Sequence, residues 1–275
     1  MNGDHTLVRL RPTAQLIPRG ADMIQCGVNA ATDGVFPIAP ALQTRVCEIF
    51  NTLSDSSTVS SIHQQLVTAG MPIATAQLLL DDLRYHGVLI PAQRLSVVLL
   101  GRGVVVNLLA QALRCAGHQV QRCSTLHQFS ALFDTLDAQT VLIPVGRINY
   151  SPHALQQCYQ HPCVIPVSRF QTSAIVGPVR WEHQGSCLQC SHLHHTDEDP
   201  YWRQAAYALA DDYSPNPVLD YAIASTLLRF FSTAELGPAL IGRTIEFSPF
   251  YGYEHEQIVQ QHSLCYFCWS NQNVT

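Results

Sequence analysis

Two short segments restrict this chain more than any others: "GSCLQC" at 185–190 and "SLCYFC" at 263–268. Each carries a Cys-x-x-Cys pair, and 74 residues (191–264) lie between Cys190 and Cys265. A Cys-x-x-Cys turn sets two sulfurs on one side of a tight loop, within reach of one ion. Two such turns complete the tetrahedral thiolate shell that structural zinc prefers. Four protein ligands leave no open position, so zinc held by Cys187, Cys190, Cys265 and Cys268 would be structural. Iron–sulfur ligation and a redox dithiol are the other chemistries this spacing serves. A shared ion would staple the C-terminal tail to the middle of the chain.

The metal reading depends on a reducing compartment. The opening "MNGDHTLVRLRPTAQLIPRG" has no apolar core of a signal peptide. The most apolar window, "LSVVLLGRGVVVNLLAQAL", is broken by Gly101-Arg102-Gly103 and Asn107, which makes a poor membrane span. A cytoplasmic location is expected, where ten cysteines serve as thiols and metal ligands rather than disulfides. Cys26, Cys47, Cys115, Cys123, Cys158 and Cys163 stand among apolar residues and read as buried free thiols.

All fifteen basic residues are Arg, so a P-loop lysine and a lysine Schiff base are ruled out. The net charge of −5 argues against nucleic acid as the main partner. Only 13% of residues are charged against 47% hydrophobic, which leaves few charges to cover the surface and points to a buried interface. The helix around Leu227, Leu228, Phe230 and Phe231 is more apolar than one buried stripe requires, so a homodimer is expected.

The texture of the chain changes at residue 95. Before it, "AQLIPR", "MIQCGV" and "GVFPIA" alternate as short strands. Three helical patterns follow. Leu42, Val46, Ile49, Phe50 and Leu53 share one face; Val59, Ile62, Leu66 and Val67 share another; the third runs from Pro72 to Gly87. Three strands and three helices predict a winged-helix-like α+β module over residues 1–94. Its third helix, with Asp81, Asp82 and only Arg84 as a base, would read DNA poorly.

From 95 onwards the pattern is α/β. "LSVVLLG" is an apolar run suited to a strand buried on both faces. A Gly-Arg-Gly turn, a helix over roughly 104–116, "HQVQRC", a second helix and "TVLIPVG" make a βαβαβ unit with a parallel sheet. "CVIPVS" and "AIVGPVRW" continue the strands, and "RTIEFS" and "YEHEQIV" predict an antiparallel pair. The Gly-x-Gly turn stands where a Rossmann-like domain grips a pyrophosphate. Val106, however, occupies the third glycine position, and Gln121-Arg122 stand where an acidic residue would end the second strand. The turn is read as architectural, with no nucleotide site and no catalytic residues.

"CSHLHHTDEDP" crowds His192, His194, His195, Asp197, Glu198 and Asp199 into one stretch. It is read as a polar loop beside the metal knuckle, with Asp199 capping a helix that begins at Pro200.

The run "VGPVRWEHQGSCLQCSHLHHTDEDPYW", with its Gly-Pro strand, Cys-x-x-Cys and Asp199-Pro200-Tyr201-Trp202, resembles proteins that bind precursor leader peptides in thiazole/oxazole-modified peptide biosynthesis. "GPALIGRTIEF" before the terminal cysteine pair looks like the end of the same family. The resemblance implies a peptide-recognition element (1–94) followed by a degenerate ThiF-like domain (95–275). It also implies a non-catalytic accessory subunit that presents a leader peptide to a separate YcaO-type cyclodehydratase. The leader would add as a strand beside Gly34–Ala39, with the third helix as the groove wall. Val35, Phe36, Ile38, Gln77, Leu80, Asp81 and Arg84 are the expected peptide contacts. A ThiF-like ATP-dependent adenylyltransferase is the enzymatic alternative, and a winged-helix DNA-binding regulator is the second.

Overall fold

A computed structural model describes residues 4–11, 14–53, 57–92, 94–210, 214–232 and 237–272. The chain divides into two compact units, residues 1–93 and 94–275. Among the described residues no helix is long and apolar enough to cross a membrane.

The first unit runs β1 (Val8–Leu10), β2 (Leu16–Arg19), β3 (Met23–Cys26), α1 (Ala30–Asp33), β4 (Val35–Pro37), α2 (Gln43–Asn51), α3 (Val59–Thr68), α4 (Ile73–Tyr85) and β5 (Leu89–Pro91). β2, β3 and β4 form an antiparallel sheet in that order, and β1 pairs with β5 in a separate ribbon. The sequence reading included neither α1 nor the β1–β5 pair, which joins segments about 80 residues apart.

Local chemistry explains the helix starts. Thr58 and Ser61 exchange side-chain and backbone hydrogen bonds at 3.1 Å, a capping box that opens α3. Val59, Ile62 and Leu66 then turn inward. In α4 the buried residues are Ala76, Leu79, Leu80 and Leu83, spaced as one helical face. These stripes meet the sheet around Phe50, which is fully buried. Truncating such a phenylalanine to Ala costs about 3–5 kcal/mol.

The second unit begins with β6 (Ser96–Leu100), α5 (Val104–Cys115), β7 (Gln119–Cys123), α6 (Leu126–Phe133) and β8 (Val141–Pro144). The strands are parallel in the order β7-β6-β8. β6 lies in the centre, and its alternation serves two cores. Val97 and Leu99 pack on one face with α5, while Val98 and Leu100 pack on the other with Phe129 and Cys158. Next come α7 (Pro152–Gln160), β9 (Val167–Arg169), β10 (Ala174–Val176), α8 (Leu188–Glu198), α9 (Trp202–Leu209), α10 (Pro217–Ser232), β11 (Arg243–Ser248), β12 (Tyr253–Ile258) and α11 (Tyr266–Gln272). β12, β11, β10 and β9 form an antiparallel sheet in that order. Single parallel bridges at Leu142–Val164 and Val145–Val167 carry the pairing from β8 towards β9. "CVIPVS", expected as a continuous strand, therefore supplies these bridges, an antiparallel bridge from Val164 to Arg180 and the start of β9.

Two expectations change here. Leu227, Phe230 and Phe231 of α10 are buried against α5 and the sheet of their own unit. The helix is apolar because its own chain covers it, so it does not argue for a homodimer. Cys115, expected to be buried, is exposed near the end of α5, whereas the other five scattered thiols are buried.

Candidate metal centre and an open sheet edge

Cys187 is the N-cap of α8, and Cys190 lies in its first turn with its N–H donating to the Cys187 carbonyl at 2.9 Å. Cys265 directly precedes α11, whose Trp269 N–H donates back to its carbonyl at 2.9 Å. Gly185 permits the close approach that precedes the first pair. Its φ is +92°, and a Cβ there would stand 2.8 Å from Ile241 Cγ2.

The four sulfurs converge. Cys187 lies 3.7 Å from Cys190, 3.5 Å from Cys265 and 3.7 Å from Cys268, and Cys190 lies 3.5 Å from Cys268. A tetrahedral ion with sulfur arms of about 2.3 Å has edges of about 3.8 Å, so the spacing fits one metal ion. A disulfide would require about 2.05 Å. All four side chains are buried, and Tyr159, Leu193 and Phe267 pack around them. Sulfur–sulfur hydrogen bonds from Cys187, the strongest influence, pull the Cys190 thiol down to about 7. Cys265 is lowered by the same neighbours, while hydrogen bonding to Cys190 raises Cys187. Four thiolates this close repel one another without a cation between them. The donor set is soft, closed and without room for a substrate.

The histidine-rich stretch is helical rather than a loop, because α8 continues unbroken from the first cysteine pair to Glu198. Asp199 ends that helix and accepts from the Tyr201 N–H at 2.9 Å; the next helix begins at Trp202, not at Pro200. His194 and Asp197 on α8 approach His262, with ligand atoms all within 4.8 Å. His262 is already committed, however. Its Nδ1 accepts from the Leu264 N–H at 3.0 Å, which leaves Nε2 to donate to Asp197 Oδ2 at 2.8 Å. A metal on Nε2 would need that ring nitrogen deprotonated, and Nδ1 cannot take the proton while Leu264 donates to it. These groups brace the knuckle as a hydrogen-bonded pair. His192 stacks on Tyr150 and is driven down to about 3 by burial.

At the C-terminal ends of the parallel strands lies an open cavity of about 670 Å³, lined by Gly101, Arg102, Ser124, Arg147, Tyr150 and Tyr207 among others. Gly101 has φ +149°, and a Cβ there would meet the Val145 carbonyl at 2.7 Å. Val106 is buried beneath this turn. The arginines spend donors on the protein itself: Arg102 Nε on the Ser124 carbonyl at 2.5 Å and Arg147 on the Ala210 carbonyl at 3.1 Å. Arg122 bonds Asn107.

The candidate peptide contacts separate into two groups. Phe36, Ile38 and Leu80 are core residues, at 5%, 7% and 0% exposure, so they pack inside the unit and do not offer a surface. Sequence periodicity finds their face but not which side of it water reaches. Gln77 and Asp81 are exposed and bonded to each other at 3.0 Å, and Arg84 pairs with Asp4 at 3.0 Å. Val35 is half-buried and stands on β4, an edge strand that among the described residues pairs only with β3. The Phe36 ring meets His86, just beyond α4, edge-on at 5.7 Å. His86 ends the helix expected to wall the groove, though it was not among the expected peptide contacts.

The fold has solved counterparts. No protein-family model matches the chain, and no curated protein matches it in sequence. A heterocyclase solved with substrate and cofactor superposes with a TM-score of 0.55 at 16% identity, over 96% of this chain and 39% of that one. The heterocyclase TruD gives 0.54 at 15% identity, over 96% and 43%. MccB of E. coli gives 0.51 at 12% identity, over 95% and 99%. At these identities the likeness is one of fold. The chain spans about two fifths of the length of the two heterocyclases.

Proposed function

We propose that this protein binds the leader of a ribosomally made precursor peptide and presents it to a separate modifying enzyme of the YcaO type, with a structural zinc ion in the four-cysteine site. The observation that carries the reading is the open β4 edge, set within a fold shared with peptide-modifying enzymes. MccB, a microcin C7 biosynthetic enzyme, has been solved with N-formylated MccA bound, at a TM-score of 0.50 to this chain. One heterocyclase was solved with its substrate and cofactor.

Backbone pairing along an edge strand provides affinity without a deep pocket. The test is fluorescence anisotropy with the precursor leader encoded beside this gene. Binding that Val35→Pro weakens about tenfold supports the reading, because that change removes one edge donor. Full-length binding that Val35→Pro leaves unchanged would move the peptide site elsewhere.

A second reading, an ATP-dependent adenylating subunit of ThiF type, is favoured by the cavity at the ends of β6, β7 and β8. Against it stand the absence of Lys and the arginine donors already engaged by the protein itself. ATP–pyrophosphate exchange with the leader present separates the two readings.

A further inference from the structure

We infer that the β4 edge selects its peptide by two backbone N–H groups two residues apart, and that Pro37 imposes this rule. The inference rests on the peptide-binding reading and adds the chemistry of the peptide.

The two edges of the β2-β3-β4 sheet are treated differently. On the β2 side, the Asn51 amide seals the edge: Leu16 N–H donates to Asn51 Oδ1 at 2.9 Å, and Asn51 Nδ2 donates to the Leu16 carbonyl at 2.7 Å. Pro18, the next outward residue, has no N–H to seal. Open strand edges are a hazard that proteins normally cover. No such side chain pairs with the backbone of β4 among the described residues.

The register states what β4 offers. Cys26 N–H donates to the Gly34 carbonyl at 3.1 Å, and Ile38 N–H donates to the Asp22 carbonyl at 2.8 Å. With Phe36 opposite Ile24, the even-numbered residues of β4 bond inward to β3. Val35 and Pro37 therefore turn their backbone groups outward. The edge presents one donor, Val35 N–H, and two acceptors, the carbonyls of Val35 and Pro37. A strand added in either direction must bring two N–H groups, two residues apart, to those carbonyls. It finds a partner for only one of its own carbonyls. Proline at either of those two peptide positions is excluded.

The same arithmetic identifies the occupant as a peptide rather than a second copy of this edge. Two β4 strands placed edge to edge would have two donors between them and could form at most two hydrogen bonds. A peptide with intact amides forms three. Pro37 thus discourages self-pairing while leaving the peptide's N–H groups fully used.

The experiment uses the full-length protein and a displayed library of random linear peptides. The tightest linear binder is then resynthesised with each amide N-methylated in turn. Two positions separated by one residue should each lose roughly tenfold in affinity or more, with the rest nearly unaffected. Pro37→Ala, which adds an outward donor and leaves the β3 bonds alone, should tighten binding roughly three- to tenfold. Sensitivity at adjacent positions or at none, or an unchanged affinity in Pro37→Ala, overturns the rule while leaving peptide binding itself intact. A library that yields no binder overturns the rule and the peptide-binding reading together.

Discussion

Cys187 and Cys265 are 78 positions apart in the chain, yet their sulfurs lie 3.5 Å apart in a buried cluster with Cys190 and Cys268. Four buried thiols converging at such distances, with none joined as a disulfide, suit a shared metal ion. Cys265→Ser should therefore reduce bound zinc from about one per chain to near none, as measured by elemental analysis. Loss of the staple should also lower Tm by roughly ten degrees, because metal binding at a closed site is coupled to folding. Full retention of metal in the variant would remove Cys265 from the ligand set.

The Arg169–Asp220 pair, 2.8 Å apart and 3% exposed on each side, should be intolerant of losing one partner. Asp220→Ala leaves a buried guanidinium uncompensated and should cost about 3–5 kcal/mol in denaturant unfolding. Replacing both residues with Met and Leu should recover most of that loss. If the double variant is no better than the single one, the pair acts through something other than charge compensation.

Asn51→Leu tests the sealed edge. It keeps the side-chain volume but leaves Leu16 N–H and its carbonyl without partners, at a cost of about 1–3 kcal/mol. The variant should also self-associate through the newly open β2 edge, which sedimentation velocity would detect. A monodisperse variant of unchanged stability would show that water replaces Asn51 at no cost.

His161 should make stability fall in mild acid. Burial lowers its pKa below the usual 6.5, outweighing the hydrogen bond its Nε2 makes with the Thr140 carbonyl at 2.6 Å. The unfolded chain then binds the proton more readily than the folded one. The associated stability is present above pH 6.5 and is lost as pH falls below it, by up to about 1.4 kcal/mol per unit. His161→Gln can still donate to Thr140 and should flatten the slope between pH 7 and 5. An identical slope in wild type and variant would assign the acid sensitivity to other groups.

Much of the scaffold was legible in residue order because local rules determine it. Alternation marked β2, β3 and β4, periodicity marked α2 to α4, and the unbroken apolar run at 96–100 marked a strand with a core on each face. The two Cys-x-x-Cys pairs picked out the four thiols that the fold brings together, because each turn sets its own two sulfurs on one side of a tight loop. What the tertiary structure decided was occupancy. Periodicity showed that Phe36 and Leu80 lie on apolar faces, but only packing showed that their own chain fills the space in front of them. The α10 phenylalanines looked like an interface for the same reason and are core. The histidines after Cys190 have polar, loop-like composition, yet the cysteine turn at their head starts a helix that carries through them. The difference between the two sheet edges was equally hidden, because Asn51 seals β2 from 35 residues away. Such pairings depend on where a folded chain returns to itself, and no local pattern of side chains encodes that.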